Sequence, residues 1–397
     1  MLAISKRVSE MQASPIRKLV PLANQAKSRG ISVFHLNIGQ PDLPTPPAYW
    51  EAVHKFEDKV LAYGPSEGLL FLREAIAGYF ERYDISVDKD EILITTAGSE
   101  AVQFALLTIA DEGDEVIVPE PFYTNYNGFA SIAGVKLKPI RTLPETGFHL
   151  PSQEEIECKI SPRTKGILIC SPNNPTGTIL DKEEMEMLAE LALEHNLYLL
   201  SDEVYREFSY GTAPISILSF PRIADRVIML DSISKRFSAC GARIGCMIIK
   251  NMHVRSEIMK LAQSRLCPPT LEQYGAAAAY SLPESYYNSV KEEYKKRRDV
   301  VLDGLCKISG CLCQEPKGAF YVMAQLPIDD ADKFAAWLLT EFSVDNKTVM
   351  LAPGAGFYAT PGLGLKEVRI AYVLEQDKLR EAMDLLKIAI EKYKQII

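Results

Sequence analysis

The stretch RVIMLDSISKRFSACGARIGCMIIK, residues 226–250, contains the pattern that decides the fold of this chain. Its two ends, RVIMLD and RIGCMIIK, are near-continuous apolar runs of strand length, as expected for strands that are buried on both faces. A polar segment with one lysine, Lys235, joins them. In open α/β sheets, ligands bind just beyond the carboxyl ends of strands. Lys235 is therefore either an ordinary surface lysine or the covalent anchor of a ligand.

The same pattern repeats along residues 49–282. Further apolar runs of strand length are EILITTA, DEVIVP, GILICS and LYLLSD. Helical patterns such as LFLREAIAGYFERY and EEMEMLAELALEHN lie between them. Buried strands linked by crossover helices predict a layered α/β domain with a mostly parallel sheet.

One helix, predicted over residues 182–195, shows how local sequence supports this pattern. Asp181 and Glu184 are three residues apart, as in a capping box at a helix start. Apolar residues at helical spacing predict one buried stripe, which consists of Met185, Leu188 and Ala192. Asn196 is expected to stop the helix before the next strand.

The rhythm changes after residue 282. A long charged helix over about 283–307 is followed by a strand in GAFYVMAQL, a helix near ADKFAAWLLTEF, a strand in EVRIAYV and a terminal helix over 376–394. We predict a large domain over residues 46–285, and a smaller α+β domain built from residues 1–45 together with 286–397. The KKRR run at 295–298 follows two glutamates, which indicates a solvated helix face.

Composition narrows the class of protein. The chain has 397 residues, a net charge of -8 and 24% charged residues, so it lacks the basic footprint of a nucleic-acid binder. No stretch approaches the ~18 apolar residues of a membrane span, and MLAISKRVSEMQ lacks the apolar core of a signal peptide. Eight cysteines without a C-x-x-C pair and five isolated histidines indicate buried, reduced thiols in the cytoplasm and no metal centre.

The segment ILITTAGSEAVQ predicts an anion site at a strand-to-helix joint. The free N–H groups of Ser99 and Glu100, together with the helix dipole, would attract a phosphate. The carboxylate of Glu100 would repel an anion, so its side chain has to point outward. The alternative is an ordinary joint that holds no ligand.

Two further joints carry polar side chains at strand ends. In CSPNNPTGTIL, Asn174 precedes a proline, which holds its backbone extended and can aim its amide into a cleft; the alternative is a plain turn. In LLSDEVYREF, Asp202 ends an apolar strand with Tyr205 three residues on. A poorly solvated carboxylate is costly unless it meets a cation, although Asp202 could instead cap a helix.

The opening stretch combines several such features. Ser232 and Ser234 are two residues apart and point the same way in an extended segment. With Arg243 and a helix N-terminus they suit a phosphate dianion, and Lys235 is then placed to form a Schiff base. For any single lysine the alternative is surface exposure.

The chain resembles the class I/II pyridoxal-phosphate-dependent aminotransferases of the aspartate aminotransferase superfamily, fold type I. The motifs occur in the order of that family: LNIGQPD at 36–42, YGPSEGLLFLREA at 63–75, NPTG at 174–177, SDEVY at 201–205, SISKRFSACGARIG at 232–245 and VRIAY at 368–372. The resemblance covers essentially the whole chain. It implies a large domain with a mostly parallel seven-stranded sheet sandwiched by helices, and a smaller α+β domain.

The resemblance also implies pyridoxal 5'-phosphate as cofactor and a role for residues around its ring. Lys235 would carry the cofactor through an imine and later shuttle a proton. Asp202 would pair with the pyridine nitrogen, which favours the protonated ring. Asn174 and Tyr205 would contact the 3-hydroxyl oxygen, and Tyr123 would stack on the ring.

Phosphate and substrate binding are implied in the same way. The phosphate would be held by hydroxyl, N–H and guanidinium groups of Ser99, Glu100, Ser232, Ser234 and Arg243. Tyr63 would reach the phosphate of the other subunit, so the resemblance implies a homodimer. Arg369 would bind the substrate α-carboxylate, with Gly39 and Asn174 nearby.

The expected reaction moves an amino group between an amino acid and a 2-oxo acid in a ping-pong cycle. The alternative on the same fold is a lyase acting on carbon–sulfur bonds, or another eliminating enzyme. A cofactor-sensing regulator is disfavoured because no helix-turn-helix is seen, and a dehydrogenase because no strand is followed by G-x-G-x-x-G.

The amino donor stays open at this stage. Aspartate or glutamate would need a second cation, for which Arg17 and Arg265 are candidates by position. An aromatic or branched donor would need an apolar pocket, for which the candidates are Ile16, Val20 and Phe357.

Overall fold

The computed structural model describes residues 2–396. The strands are β1 (Ser32–His35), β2 (Ile92–Thr95), β3 (Glu115–Glu120), β4 (Lys136–Arg141), β5 (Thr164–Cys170), β6 (Tyr198–Asp202), β7 (Val227–Ser232), β8 (Gly245–Ile248), β9 (Leu312–Cys313), β10 (Tyr321–Gln325), β11 (Lys347–Met350), β12 (Ala352–Pro353) and β13 (Glu367–Ala371). The helices are α1 (Lys6–Ser9), α2 (Val20–Ser28), α3 (Pro47–His54), α4 (Leu70–Glu81), α5 (Ala97–Ile109), α6 (Asn125–Ala133), α7 (Gln153–Glu157), α8 (Lys182–Glu194), α9 (Ile233–Arg236), α10 (Met252–Arg265), α11 (Thr270–Tyr280), α12 (Glu284–Cys306), α13 (Ala331–Thr340) and α14 (Gln376–Tyr393).

The large sheet has seven strands in the order β2-β8-β7-β6-β5-β3-β4. Neighbours from β7 to β4 are parallel, and β8 runs antiparallel to both β2 and β7. All six apolar runs of the sequence form strands of this sheet. The predicted fold class, a mostly parallel seven-stranded α/β sheet, is confirmed.

Side chains of the central strands alternate between two apolar cores. On β7, Met229 packs into the core on one face, whereas Ile228 and Leu230 pack into the core on the other. Successive side chains of a strand point to opposite faces, so a strand without polar positions needs helices on both sides. This is why the strand sequences are near-continuous apolar runs rather than alternating ones.

Sequence analysis missed strand β4. Its sequence, KLKPIR, is basic and contains a proline, yet it pairs in parallel with β3 at the edge of the sheet. Lysine and proline are tolerated at an edge, where one side of the strand has no ladder to form. A search for apolar runs finds only strands whose side chains are buried on both faces of the sheet.

The structure has two smaller sheets, one of which joins the N-terminal and C-terminal parts of the chain. An antiparallel sheet has the order β12-β13-β10-β9, and a separate parallel pair joins β1 to β11. The register of that pair matches Ser32 with Lys347. The first forty residues therefore pack with the C-terminal third, in agreement with a smaller α+β unit, whose exact boundaries remain a prediction.

The predicted capping box of α8 is present. The Glu184 N–H donates to Asp181 Oδ1 at 2.8 Å, and the Asp181 N–H donates to Glu184 Oε2 at 2.8 Å. The three residues of the predicted apolar stripe are all buried. The helix ends at Glu194, and Asn196 follows in a left-handed conformation with φ 54°.

The prediction that KKRR forms a solvated helix face is wrong for its two arginines. Arg297 is 2% exposed and Arg298 is 6% exposed. Four consecutive residues go more than once around a helix, so some of them must face inward. Carboxylates offset the buried charges. Arg297 pairs with Asp42 and with Glu293 of α12, and Arg298 pairs with Glu315 at 3.0 Å. The Asp42 pair also ties α12 to the loop that follows β1.

The thiol prediction holds only in part. Cys246 is buried, but Cys158 and Cys306 are exposed. Within residues 2–396, no helix combines the length and the apolar character needed to cross a bilayer.

Candidate active site

A cavity of about 700 Å³ lies at the carboxyl ends of β5, β6 and β7. Cys170, Asp202 and Ser232, the last residues of these three strands, all line it. Most of the residues proposed from sequence share this cavity: Gly39, Ser99, Tyr123, Asn174, Asp202, Tyr205, Ser232, Ser234, Lys235, Arg243 and Arg369. Glu100 and Tyr63 do not line it.

Lys235 projects into the cavity from α9, the short helix directly after β7. Its Nζ donates a hydrogen bond to the carbonyl oxygen of Gly39 at 2.7 Å. Burial lowers the pKa of this amine, and the positive charges of Arg369 and Arg243 act in the same direction. A lowered pKa increases the fraction of neutral amine, the form that attacks a carbonyl carbon.

Position 39, whose carbonyl oxygen accepts the hydrogen bond from Lys235, has no room for a side chain. A Cβ at this position would lie 1.7 Å from the Tyr321 hydroxyl oxygen. The backbone of the loop after β1 can therefore pass directly between Tyr321 and the lysine.

Hydroxyl groups cluster at the start of α9. The Ser232 hydroxyl accepts from the Ser234 N–H at 3.2 Å, and the two hydroxyl oxygens are 2.9 Å apart. Ser99, in the first turn of α5, and Arg243 face the same cavity. Hydroxyls, a guanidinium group and a helix N-terminus are the donors that a phosphate group needs.

The N-terminus of α5 is held close to β8 by a second glycine. A Cβ on Gly245 would lie 2.5 Å from the carbonyl carbon of Ala97 and 2.7 Å from the nitrogen of Gly98. The absence of a side chain therefore lets the start of α5 approach the strand and places Ser99 near Ser232.

Glu100 turns its carboxylate away from the cavity, as the sequence argument required. Glu100 Oε2 accepts from the Thr96 N–H at 2.7 Å and lies 3.4 Å from Arg265 Nη1. Arg265 also donates to the carbonyl oxygen of Ser66 at 2.9 Å. Arg265 thus has partners outside the cavity. Of the two arginines proposed as a second cation for a dicarboxylic substrate, only Arg17 lines the cavity.

Asp202 presents a carboxylate that lacks a cation. Its Oδ2 accepts from the Tyr126 hydroxyl at 2.7 Å and its Oδ1 from the Val204 N–H at 3.3 Å. Among residues 2–396 no lysine or arginine nitrogen lies within ion-pair distance of it. Burial raises the pKa of Asp202 to about 6, and the Tyr126 hydrogen bond opposes that rise.

Tyr126 is a site residue that sequence reasoning missed. Tyr123 and Tyr126 both lie in EPFYTNY, three residues apart, and their rings meet edge-to-face at 5.5 Å. Tyr123 lines the cavity, whereas Tyr126 is buried behind it. The spacing could have suggested that both face one side of a turn, but not which hydroxyl reaches Asp202.

Asn174 and Tyr205 belong to one hydrogen-bonded chain. Asn174 Nδ2 donates to the Tyr205 hydroxyl at 3.3 Å, and this hydroxyl is 3.0 Å from that of Tyr321. Tyr321, at the start of β10, was also missed, because nothing in GAFYVM distinguishes a cavity residue from a core residue.

Arg369 on β13 is a buried cation that has no carboxylate partner among residues 2–396. It is 2% exposed, and it donates to Asn174 Oδ1 at 2.9 Å and to the carbonyl oxygen of Asn37 at 2.6 Å. Within the described part of the chain, its Nε has no hydrogen-bond partner. Burial lowers the pKa of this guanidinium group. A buried charge without a counter-charge is costly, so this part of the cavity is built for an anionic ligand group.

The set of donors fits pyridoxal 5'-phosphate. The Asp202 carboxylate lacks the cation that a protonated pyridine nitrogen would supply, and Lys235 offers an amine. The serine hydroxyls and Arg243 suit the phosphate, and Arg369 remains for a carboxylate. This fit depends on groups whose charges are not balanced within the described chain.

Known proteins are similar to this chain over nearly its whole length. The family model described as "Aminotransferase class I and II" matches residues 31–386. Aromatic-amino-acid aminotransferase 2 of Thermococcus litoralis is 34% identical over 99% of this chain and 100% of its own length. The aspartate aminotransferase structure of Thermotoga maritima superposes with a TM-score of 0.90 at 32% identity, covering 98% of this chain and 100% of that one.

A solved aspartate aminotransferase of Thermus thermophilus with maleate is also similar. Its TM-score is 0.86 at 31% identity, over 98% of this chain and 100% of that chain. The fold, the cofactor and the type of reaction follow from the same match. The chain belongs to the class I and II aminotransferases, fold type I enzymes that use pyridoxal 5'-phosphate to transfer amino groups between amino acids and 2-oxo acids.

Proposed function

We propose that the cavity around Lys235 is the site of amino transfer and that Lys235, Asp202 and Tyr205 carry out its chemistry. One observation supports this most strongly. A single cavity joins an amine that is biased toward its neutral form to a carboxylate and a guanidinium group that lack counter-charges. When bound, pyridoxal phosphate supplies an electron sink that stabilises negative charge at the Cα atom of the amino acid.

The chain's own residues position that chemistry. Asp202 holds a proton on the ring nitrogen, and the Tyr126 hydroxyl fixes the orientation of the carboxylate. Asn174 and Tyr205 bind the 3-hydroxyl oxygen, and Tyr123 covers a face of the ring. The Nζ atom of Lys235 anchors the cofactor and afterwards moves a proton at the substrate Cα.

Binding of the two anionic ends falls to other residues. The cofactor phosphate is held by Ser99, Ser232, Ser234, Arg243 and the N–H group of Glu100. The substrate α-carboxylate binds Arg369, whose planar fork of donors matches a carboxylate better than an ammonium group does. Asn174 and the Gly39 backbone complete that end of the site.

A second copy of the chain completes the site in this proposal. Tyr63 is 81% exposed and lies outside the cavity of its own chain. Its apolar neighbours Val60 and Leu61 are 72% and 58% exposed. An exposed apolar stretch of this kind suits an interface, and we infer a homodimer in which Tyr63 reaches the partner's phosphate site.

Location and domain limits are inferred as well. Eight free cysteines suit a reducing compartment, and we propose the cytoplasm. We place the large domain at residues 46–285 and the small domain at 1–45 with 286–397. The pairing of β1 with β11 supports this division.

A single-turnover experiment tests the proposed function. The purified protein with bound cofactor is mixed with a panel of amino acids, and released 2-oxo acid, ammonia and pyridoxamine phosphate are measured. Amino transfer predicts one 2-oxo acid and one pyridoxamine phosphate per site, without ammonia. Release of ammonia with no pyridoxamine phosphate would instead indicate an eliminating enzyme. The Lys235→Ala protein is the control and should give neither product.

A further inference from the structure

We propose that Arg17 selects dicarboxylic substrates by binding the second carboxylate, the one at the end of the substrate side chain. The inference rests on the proposed amino transfer in this cavity and assigns its specificity residue. Arg17 lines the cavity but belongs to the N-terminal segment, outside the family motifs.

The segment around Arg17 is fixed on both sides. A Cβ on Gly356 would lie 2.3 Å from the Cβ atom of Pro15, so the glycine leaves the space in which buried Pro15 sits. Leu19 is 5% exposed and packs in a small core cluster with Ala335. The Val20 N–H donates to the carbonyl oxygen of Arg17 at 3.0 Å, which closes a turn between these two anchors.

Within this turn, the two adjacent cations have different surroundings. Lys18 Nζ forms an ion pair with Asp332 at 2.6 Å, on the side away from the cavity. Arg17 makes no ion pair with any carboxylate of residues 2–396. The charge of Lys18 is therefore paired with Asp332, whereas Arg17 lines the cavity with its charge unpaired within residues 2–396.

Arg17 is the one cationic side chain of the cavity lining to which the proposed function assigns no anionic partner. The lining contains four cationic side chains and one carboxylate: Arg17, Lys235, Arg243 and Arg369 face Asp202. The proposed function uses Lys235 as anchor, Arg243 for phosphate and Arg369 for the α-carboxylate. Only Arg17 lacks an anionic partner once cofactor and α-carboxylate are bound.

Arg17 also lies near the position of the substrate. Burial raises the pKa of Tyr123, and the positive charges of Arg369, Arg243 and Arg17 all oppose that rise. The guanidinium groups of Arg369 and Arg17 therefore both act on one ring that borders the cavity. In the proposed complex, one carboxylate of the ligand binds Arg369 and the other binds Arg17, and Ile16 and Val20, which line the same cavity, contact the methylene groups between them.

The test compares Arg17→Met with Lys18→Met in the holoenzyme. Each variant removes one positive charge from adjacent residues and keeps an unbranched side chain. Maleate and succinate serve as dicarboxylic probes, and propionate as the monocarboxylic probe. Their Kd values are measured by titration of the cofactor absorbance, which does not depend on turnover. Values of kcat/KM for aspartate, glutamate, alanine and phenylalanine give the second readout.

We expect Arg17→Met to weaken maleate and succinate about 10–100-fold, as for loss of a charge-assisted pair, and to change propionate far less. In Arg17→Met, the kcat/KM values for aspartate and glutamate should fall as well. Arg17→Lys should recover part of the loss. Lys18→Met should leave the ratio of dicarboxylic to monocarboxylic Kd values unchanged. An unchanged ratio in Arg17→Met, or wild-type preference for phenylalanine or alanine, would overturn the inference while amino transfer itself persisted. Failure of the amino-transfer proposal would differ, because no donor would then yield pyridoxamine phosphate.

Discussion

At the scale of single residues, burial of Asp202 opposes its negative charge, and hydrogen bonds from the Tyr126 hydroxyl and the Val204 N–H favour it. Its carboxylate lines the cavity with no cation from residues 2–396 at ion-pair distance, and the Tyr126 hydroxyl donates a hydrogen bond to it. The cofactor-free protein therefore holds an uncompensated charge above the raised pKa of this residue. Sequence analysis predicted that Asp202 needs a cation, because a carboxylate ends an apolar strand. It could not predict Tyr126, because the partner comes from a helix 76 residues away.

This charge predicts a pH dependence of cofactor-free protein stability. Burial raises the pKa of Asp202 to about 6, whereas an unfolded chain has an Asp pKa near ~3.9. A raised folded-state pKa gives stability below the unfolded pKa that is lost as pH rises through the folded pKa. The free energy of unfolding of wild type relative to Asp202→Asn should therefore fall by about 1–3 kcal/mol between pH 4 and pH 7. Urea denaturation of the two dialysed proteins measures it, and a pH-independent difference would contradict the assignment.

Arg369 gives a second prediction at this scale. Replacing it with lysine keeps the charge but removes the planar fork of donors and the hydrogen bond to Asn174. We expect Arg369→Lys to weaken amino-acid binding about 10–100-fold in the half-reaction. The Kd of pyridoxal phosphate should change little, because Arg369 is proposed to bind the substrate and not the cofactor. Equal losses for substrate and cofactor would show that Arg369 acts on the fold rather than on the substrate.

At the scale of elements, the site depends on how closely β8 approaches the start of α5. That approach is possible because Gly245 has no side chain. It places the N-terminus of α5 beside Ser232 at the end of β7 and Ser234 in α9, so several elements contribute to the proposed phosphate site.

Gly245→Ala tests this arrangement against Gly241→Ala. At Gly245 an added Cβ would meet two backbone atoms within 2.7 Å, whereas at Gly241 it would meet nothing within 4 Å. Gly245→Ala should lower the free energy of unfolding by about 1–3 kcal/mol and weaken pyridoxal phosphate binding, both measured on the purified variants. Gly241→Ala should change stability by about 0.5 kcal/mol or less. Similar behaviour of the two variants would mean that the close approach is not required.

The sequence predicts elements well where one physical requirement acts alone. Central strands need apolar residues on both faces, and every such run became a strand. Strand β4 was not predicted because most of its side chains are only partly buried or exposed, whereas those of β2, the other edge strand, are all buried. The burial of Arg297 and Arg298 was not predicted, because a local charge run does not reveal Asp42 and Glu315, the partners that lie on other elements.

At the scale of the whole molecule, the cavity takes residues from both ends of the chain. Gly39 and Arg17 come from the first forty residues and Arg369 from the last thirty. The pairing of β1 with β11 and the contact of Arg297 with Asp42 hold these ends together. Sequence order alone could suggest that the ends meet, but not that Arg17 faces the cavity while Lys18 faces Asp332.

The proposed dimer gives a prediction at this scale. The protein should have about twice the chain mass of 44.3 kDa in light scattering. Tyr63→Phe should weaken pyridoxal phosphate about 10-fold, as for one lost hydrogen bond to an anion, although Tyr63 is far from the cavity of its own chain. Tyr83→Phe, a half-exposed tyrosine outside the cavity, is the control. Unchanged cofactor affinity in Tyr63→Phe would refute a shared site.

The central claim is that Lys235 anchors the cofactor, and peptide mapping after borohydride reduction tests it most directly. The account predicts one phosphopyridoxyl group per chain, located on Lys235, and no such group in Lys235→Ala. Modification of another residue, or of none, would contradict it.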